Sequence, residues 1–293
     1  MAGRVIVHLS DLHFGRVDPR VLAPLVRTVY RLDPNLVAVS GDLTQNARHS
    51  EFFEASRFLR LLPQPQIVVP GNHDMAFLNP FRRATQGLNL YHHYITQERE
   101  PFFRDPEVAV LGLNTARIAL WRGGRINEKQ VMELQRRMRQ LNEGVTRVLV
   151  THHPFDLPAR YGSSRLVGRR MIEKVLAHVD LLLAGHMHIS HAAPTAERHK
   201  VEGQSAVFVQ AGTATSTRVR GEANSFKVIR VERPRVTVEQ YAWEPGHEEF
   251  TLLASSCFRH TPGGWTHDHD EGEPTEEPVA EAVVVHEGEM FHR

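Results

Sequence analysis

The chain has 293 residues, 41% of them hydrophobic and 24% charged, an ordinary globular composition long enough to bury a substantial core as one domain. Its single cysteine, Cys257, excludes an internal disulfide framework and points to a reducing compartment. No apolar run reaches the roughly 18 residues needed to span a bilayer, and the net charge is only +1, so the sequence offers neither a transmembrane helix nor a strongly polarised whole.

In chain order, the first apolar run, Val5 to Ser10, reads as a strand that begins almost at the initiator methionine. It leaves no room for a signal peptide, and a cytoplasmic location is the expected default. Helix-like stretches at Pro19 to Leu32 and Ser50 to Leu62 alternate with strand-like runs at Leu36 to Ser40 and Ile67 to Val69, which predicts a βαβ start with parallel strands. Further strands are expected at Val108 to Leu113, Arg147 to Thr151, Leu181 to Ala184 and Ala206 to Gln210. Asn127 is placed to cap a helix running to about Asn142, and a second helix fits Leu166 to His178. Lys227 to Trp243 alternates in character around Pro234 and predicts an antiparallel pair closing the sheet. The expected fold class is α/β, a two-sheet αββα sandwich with its functional residues at strand ends.

From about His260 the chain turns to Thr-Pro-Gly-Gly followed by Asp, Glu, His and Pro, too polar to offset its ordering entropy. The folded domain is therefore expected to span residues 1–258 and an acidic, His-containing, disordered tail residues 259–293. Nine acids lie in residues 261–293 against Arg293 alone, which leaves 34 basic and 25 acidic side chains before them, a body of about +9. A moderately basic body suits an anionic substrate. His267, His269, His286 and His292 have no compact ligand spacing and read as solvated tail residues.

Five short motifs carry the chemistry, each placed where an apolar run ends in a turn. They are Asp11-Leu12-His13, Gly41-Asp42, Gly71-Asn72-His73-Asp74, Thr151-His152-His153-Pro154 and Gly185-His186-Met187-His188. In a parallel α/β sheet ligands gather at such strand ends, so residues distant in sequence can converge. Asp11 and His13, like His186 and His188, sit two residues apart, and in an extended segment such side chains point the same way. Asp42 has two oxygens with which to bridge two ions, and Gly41 before it permits a tight turn. Asn72 supplies a neutral oxygen, His73 beside it is available as an acid, and Asp74 is expected to orient His73. Each motif alone is weak; all five in this order suit a pair of transition metals and the hydrolysis of a phosphate ester.

With these motifs the chain resembles the calcineurin-like metallophosphoesterases, and within them is most similar to the bacterial class III cyclic nucleotide phosphodiesterases. The resemblance covers Val5 to about Val209. It implies that Asp11, His13 and His188 bind one metal, that Asn72, His152 and His186 bind the other, and that Asp42 bridges them. His152 is selected over His153 because the family's ligand precedes the proline by two positions. His73 would then protonate the leaving oxygen or stabilise the transition state, while a metal-bridging hydroxide attacks phosphorus. Two divalent or mixed-valence ions are implied, with Fe, Mn and Zn all compatible with these donors.

The expected partner is a small anionic phosphoester, a cyclic or small nucleotide diester foremost. Substrate choice is expected in the loops 78–100, 117–125 and 155–170, where Arg160, Arg165, Arg169 and Arg170 could clamp phosphate. An alternative is a lipid-linked phosphate at a membrane surface, because Ile118, Leu120 and Trp121 lie among Arg117, Arg122 and Arg125. A nucleic-acid substrate is disfavoured by a length that hardly accommodates a DNA-reading cap. A non-catalytic scaffold is the remote alternative, opposed by the intact ligand set with His73. Oligomeric state has no signal in the sequence.

Overall fold

The computed structural model describes residues 3–76, 79–121, 123–155, 172–197, 205–218 and 221–268. Two sheets face each other. The first contains β1 (Arg4–Leu9), β2 (Leu36–Val39) and β3 (Gln66–Val68) in parallel, extended by the antiparallel strands β10 (Ser225–Glu232), β11 (Arg235–Glu244), β12 (Glu249–Thr261) and β13 (Gly264–His267). Its order is β13-β12-β11-β10-β1-β2-β3. The second contains β4 (Phe102–Arg104), β5 (Val108–Gly112), β6 (Thr146–Val150), β7 (Leu181–Ala184), β8 (His191–Pro194) and β9 (Val207–Gln210), in the order β4-β5-β6-β7-β9-β8.

Strand periodicity decides which side chains meet. Ile6, Ala38 and Ile67 of the first sheet face Val110, Val148, Val150, Leu183 and Val209 of the second in a buried core between the sheets. The alternate residues Val7, Leu9, Val37 and Val39 turn outwards onto α1 (Pro19–Leu32) and α2 (His49–Leu59). On the far side Leu111, Leu149, Leu182 and Phe208 meet α5 (Glu128–Met138) and α6 (Ile172–Leu176). Strands buried on both faces explain why the runs are continuously apolar instead of alternating. The result is the expected αββα sandwich. No described helix is long and apolar enough to cross a membrane.

Helix ends follow local signals. Asp18 accepts from the Arg20 N–H to start α1, and Asp33 closes it with φ +45°. Asn127 and Gln130 form a capping box at α5, which ends at Met138, short of the expected Asn142. The stretch expected to be loop between residues 78 and 100 contains α3 (Pro80–Gln86) and α4 (Asn89–Tyr94). Each is too short for an apolar period to show, although Asn79 caps α3 with Pro80 in its first turn. The expected helix over Leu166 to His178 is described only as α6.

The boundary expected at residue 258 falls too early. The antiparallel region is four strands deep, and β12 and β13 carry the sheet to His267. The physical reason is Trp265, fully buried in the core between the sheets with its indole N–H donating to Asp180 at 2.9 Å. Asp180 in turn accepts from the Arg147 N–H at 2.8 Å, so β13 is fastened to the entrance of β6. One large apolar side chain with a satisfied polar tip outweighs the polar composition around it. Of the tail histidines, His267 lies in β13 and the other three lie outside the described residues. Trp265→Ala should lower unfolding free energy by about 3–5 kcal/mol in denaturant titration; removing residues 269–293 should leave the melting temperature unchanged, whereas removing 259–293 should lower it.

Candidate metal centre

The loops that follow β1, β2, β3, β6 and β7 converge at one end of the sandwich, as strand-end motifs in parallel sheets can. They do not converge in extended conformation. Asp11, His13, Asp42, His186 and His188 adopt left-handed φ values of +53°, +50°, +51°, +75° and +58°. The i, i+2 argument for shared direction therefore fails; each pair is aimed by two left-handed residues in a tight turn. Such conformations cost a non-glycine residue roughly 1–2 kcal/mol, strain that tends to collect at functional sites.

Two clusters of donor atoms result. In the first, His13 Nε2 and His188 Nε2 lie 3.1 Å apart, and Asp11 Oδ1 is 3.7 and 3.2 Å from them. In the second, His152 Nε2 lies 3.1 Å from Asn72 Oδ1 and 3.2 Å from His186 Nδ1. Asp42 Oδ2 stands between the two, 3.8 Å from His13 Nε2 and 3.4 Å from His152 Nε2. It is His152 Nε2 that meets the Asn72 and Asp42 oxygens. His153 instead places its Nδ1 2.8 Å from Thr115 Oγ1, although with His152 and His186 it forms a further trio of donor atoms close enough to share an ion.

The surrounding hydrogen bonds aim these atoms. Ser10 Oγ and the His186 N–H donate to Asp11 Oδ2 at 2.6 and 2.8 Å, which leaves Oδ1 buried and without a hydrogen-bond partner. His152 Nδ1 lies 2.8 Å from the Ser40 carbonyl and His188 Nδ1 2.9 Å from the Arg218 carbonyl. A carbonyl only accepts, so each Nδ1 carries a proton and each Nε2 is the nitrogen that faces the cluster. A buried carboxylate oxygen, Asp11 Oδ1, left facing the Nε2 atoms of His13 and His188 is what a cation would satisfy. The donor set of imidazole, carboxylate and amide oxygen fits a first-row transition metal.

Electrostatics agree. Burial opposes ionisation of Asp11 and Asp42, yet the facing imidazoles hold both well below the usual carboxylate range. Burial lowers His13 to about 4 and His186 to about 3. Burial also acts on His152, but the charge and hydrogen bond of Asp42 and the charge of Asp11 raise it to about 9. His188 is raised by Asp11 against the same opposition.

His73 stands beside both clusters, its ring 5.0 Å from that of His13 and its N–H donating to Asp42 Oδ1 at 2.8 Å. Its Nδ1 is 2.8 Å from the Gln45 carbonyl. Gln45, not Asp74, therefore sets the His73 ring, which corrects the expected role of Asp74. The Asp74 carboxylate accepts from the Gly71, Leu43 and Thr44 N–H groups and from Thr44 Oγ1, clamping the Gly-Asp loop to the Gly-Asn-His-Asp loop. Burial and Asp42 push it up to about 7 against those donors. Sequence reasoning missed Arg218, whose Nη1 lies 3.4 Å from His73 Nε2. It also missed Arg83, a buried guanidinium that donates to the carbonyls of Asn72, Arg117, Ile118 and Leu120 and ties α3 to the centre. Neither belongs to a metal-binding motif, and only an arginine with no helical or strand period around it marks either in the sequence.

Of the other expected contributors, those among the described residues do not join the centre. Arg160, Arg165, Arg169 and Arg170 lie outside the described residues, as does Arg122. Arg117 spends its guanidinium on the Asn114 and Ala116 carbonyls and Gln130. His92 bonds the Thr96 carbonyl, and His93 packs edge-on to Tyr94.

The motif glycines allow the close approach. A Cβ on Gly71 would overlap Asp42 Oδ1, and one on Gly185 would overlap Ser10 Oγ and come 2.7 Å from Asp11 Oδ2.

Residues 4–190 match the family model described as calcineurin-like phosphoesterase, and the chain belongs to that family. It is a metal-dependent phosphoester hydrolase with a dinuclear metal site. It is 24% identical over 204 residues, 63% of this chain and 71% of the other, to a probable glycerophosphodiester phosphodiesterase GpdQ of Arcobacter nitrofigilis. It is also 24% identical over 205 residues, 62% of this chain and 72% of the other, to a probable cyclic nucleotide phosphodiesterase of Synechococcus sp.. By structure it resembles purple acid phosphatase PPD1 from yellow lupin, with TM-score 0.66 and 11% identity over 87% of this chain. The chain spans 53% of that enzyme, and the likeness is one of fold.

Two outcomes are expected. Gly185→Ala should fold but bind metal weakly, read as lost Mn²⁺ by elemental analysis with the circular dichroism unchanged. Binding must displace the proton that Asp42 holds on His152, raised to about 9, whereas His13 and His186, lowered to about 4 and about 3, are already neutral near pH 7. Apparent Mn²⁺ affinity should therefore rise about tenfold per pH unit between pH 6 and 8, with proton release seen by calorimetry in buffers of different ionisation heat. A pH-independent affinity would contradict that protonation pattern.

Proposed function

We propose that this chain is a phosphodiesterase that cleaves one ester bond of a small monoanionic phosphodiester, a cyclic or small nucleotide foremost. The observation that carries the reading is the single carboxylate oxygen, Asp42 Oδ2, standing between two donor clusters with His73 at their edge. Asp11, His13 and His188 are assigned to one ion, Asn72, His152 and His186 to the other, and Asp42 to both. When bound, such a pair lowers the pKa of a water nucleophile and neutralises phosphoryl charge.

The protein's own groups supply the rest. With the Gln45 carbonyl holding the proton on Nδ1, His73 presents Nε2 to the site, and in its imidazolium form donates from Nε2 to the leaving alkoxide. An alkoxide needs such a proton, which favours an unactivated diester. Two relatives of similar length named as probable phosphodiesterases support the same class. The membrane alternative draws less support: Ile118 and Trp121 are 48% and 40% exposed, but Arg117 turns inwards to carbonyls and cannot meet lipid phosphate.

The test is hydrolysis by metal-stripped protein with Mn²⁺ restored, using bis(p-nitrophenyl) phosphate, cyclic AMP, a glycerophosphodiester and p-nitrophenyl phosphate, with and without anionic liposomes. Diesters should be cleaved faster than the monoester, only with metal, and indifferently to lipid. His73→Ala should lower kcat for cyclic AMP or the glycerophosphodiester by about 10²–10⁴-fold with full metal content. A preference for the monoester, or normal turnover by the His73 variant, would sink the reading.

A further inference from the structure

The loop between β9 and β10 brings to the centre a cation that none of the five motifs contains. Arg218 Nη1 lies 3.4 Å from His73 Nε2 and 3.4 Å from Gln45 Oε1. Neither contact is to a carboxylate, and among the described residues no carboxylate pairs with the guanidinium and neither its Nε nor its Nη2 makes a hydrogen bond. A half-buried cation left without a counter-charge at the edge of a hydrolytic site is poised for an anion.

Its position is fixed from below. The Arg218 N–H donates to Ser216 Oγ at 3.0 Å, and its carbonyl accepts from His188 Nδ1. Thr213 Oγ1 donates to the Asp11 carbonyl and Thr215 Oγ1 to the Leu12 carbonyl, both at 2.7 Å, while the Thr217 N–H reaches the Arg16 carbonyl at 2.9 Å. The loop is thus sewn to the turn that carries Asp11 and His13, and the guanidinium stays in register with the donor clusters. Arginine suits the task, since its planar fork can give two parallel N–H bonds to oxygens of a phosphoryl group.

We propose that Arg218 is a catalytic residue that grips a non-bridging phosphoryl oxygen on the His73 side of the metal pair and so selects an oxyanionic substrate. The proposal rests on the phosphodiesterase reading for its substrate, but its binding role holds for any phosphoryl oxyanion. With the guanidinium bound to one phosphoryl oxygen, the ester oxygen facing His73 Nε2 becomes the leaving group.

Three forms of the full chain reconstituted with Mn²⁺ decide it: the parent, Arg218→Ala and Arg218→Lys. Metal content, orthophosphate binding by calorimetry, and kcat/KM for bis(p-nitrophenyl) phosphate are measured on each. In Arg218→Ala metal content should stay full, because only the backbone of Arg218 supports His188. Orthophosphate should bind about 10- to 100-fold more weakly, as expected for loss of a charged hydrogen bond, and kcat/KM should fall at least as far. Added guanidinium ion should restore part of the activity to Arg218→Ala and none to the parent, a rescue that a merely structural arginine would not show; Arg218→Lys should be intermediate. Full metal with unchanged phosphate affinity overturns the proposal, and so does loss of metal from the alanine variant, which would reduce Arg218 to a support for His188. A parent that binds phosphate through Arg218 yet cleaves no diester would refute the phosphodiesterase reading and leave Arg218 standing.

Discussion

Two carboxylates, Asp11 and Asp42, are buried within hydrogen-bonding distance of a ring of imidazoles, and the rest of the structure is arranged around that concentration of charge. A buried carboxylate is costly unless it is paired, hydrogen-bonded or bound to a cation. Here one oxygen of each is tied off by protein donors, Ser10 and His186 for Asp11 and the His73 N–H for Asp42. The other oxygen of each faces imidazole nitrogens. The protein thus supplies half of the compensation and leaves the remainder to divalent charge, which makes metal affinity and proton release two views of the same electrostatics.

Holding that cluster together requires backbone the sheets cannot provide. Strand hydrogen bonding stops at Leu9, Val39, Val68, Val150 and Ala184, and the turns beyond β1, β2 and β7 carry left-handed residues where ligands must change direction. Asp74 fastens two of these turns by accepting their N–H groups, and Thr213 and Thr215 fasten a third. Glycine at 41, 71 and 185 removes the Cβ atoms that would separate the loops. The three buried apolar layers set where the turns begin, so hydrophobic packing decides where the polar atoms converge.

Substrate-facing chemistry is divided between rigid and peripheral elements. His73 is held at Nδ1 by the Gln45 carbonyl and sits with the ligands, whereas Arg218 reaches its Nε2 from a loop far along the chain from Asp11. Arg83 gathers carbonyls from Asn72 and from residues 117–120, which ties α3 and this loop to the centre. The same fold can therefore keep its metal chemistry while the rim changes.

By itself the sequence determined the positions of the parallel strands, the bounds of α1, the αββα class and the family, because apolar period, capping residues and five ordered motifs are local signals read without knowing the fold. Burial on both faces made those strands unmistakable as continuous apolar runs. Only the tertiary structure decided how the ligands converge, since the direction of Asp11 and His13 depends on φ values that no residue type announces. It also moved Asp74 from His73 to the loop backbone and extended the domain to His267, because one buried Trp265 bonded to Asp180 cannot be weighed from composition alone. Arg218 and Arg83 were illegible for the same reason: their meaning lies in contacts with residues far off in sequence, and long-range contact is what a linear pattern does not encode.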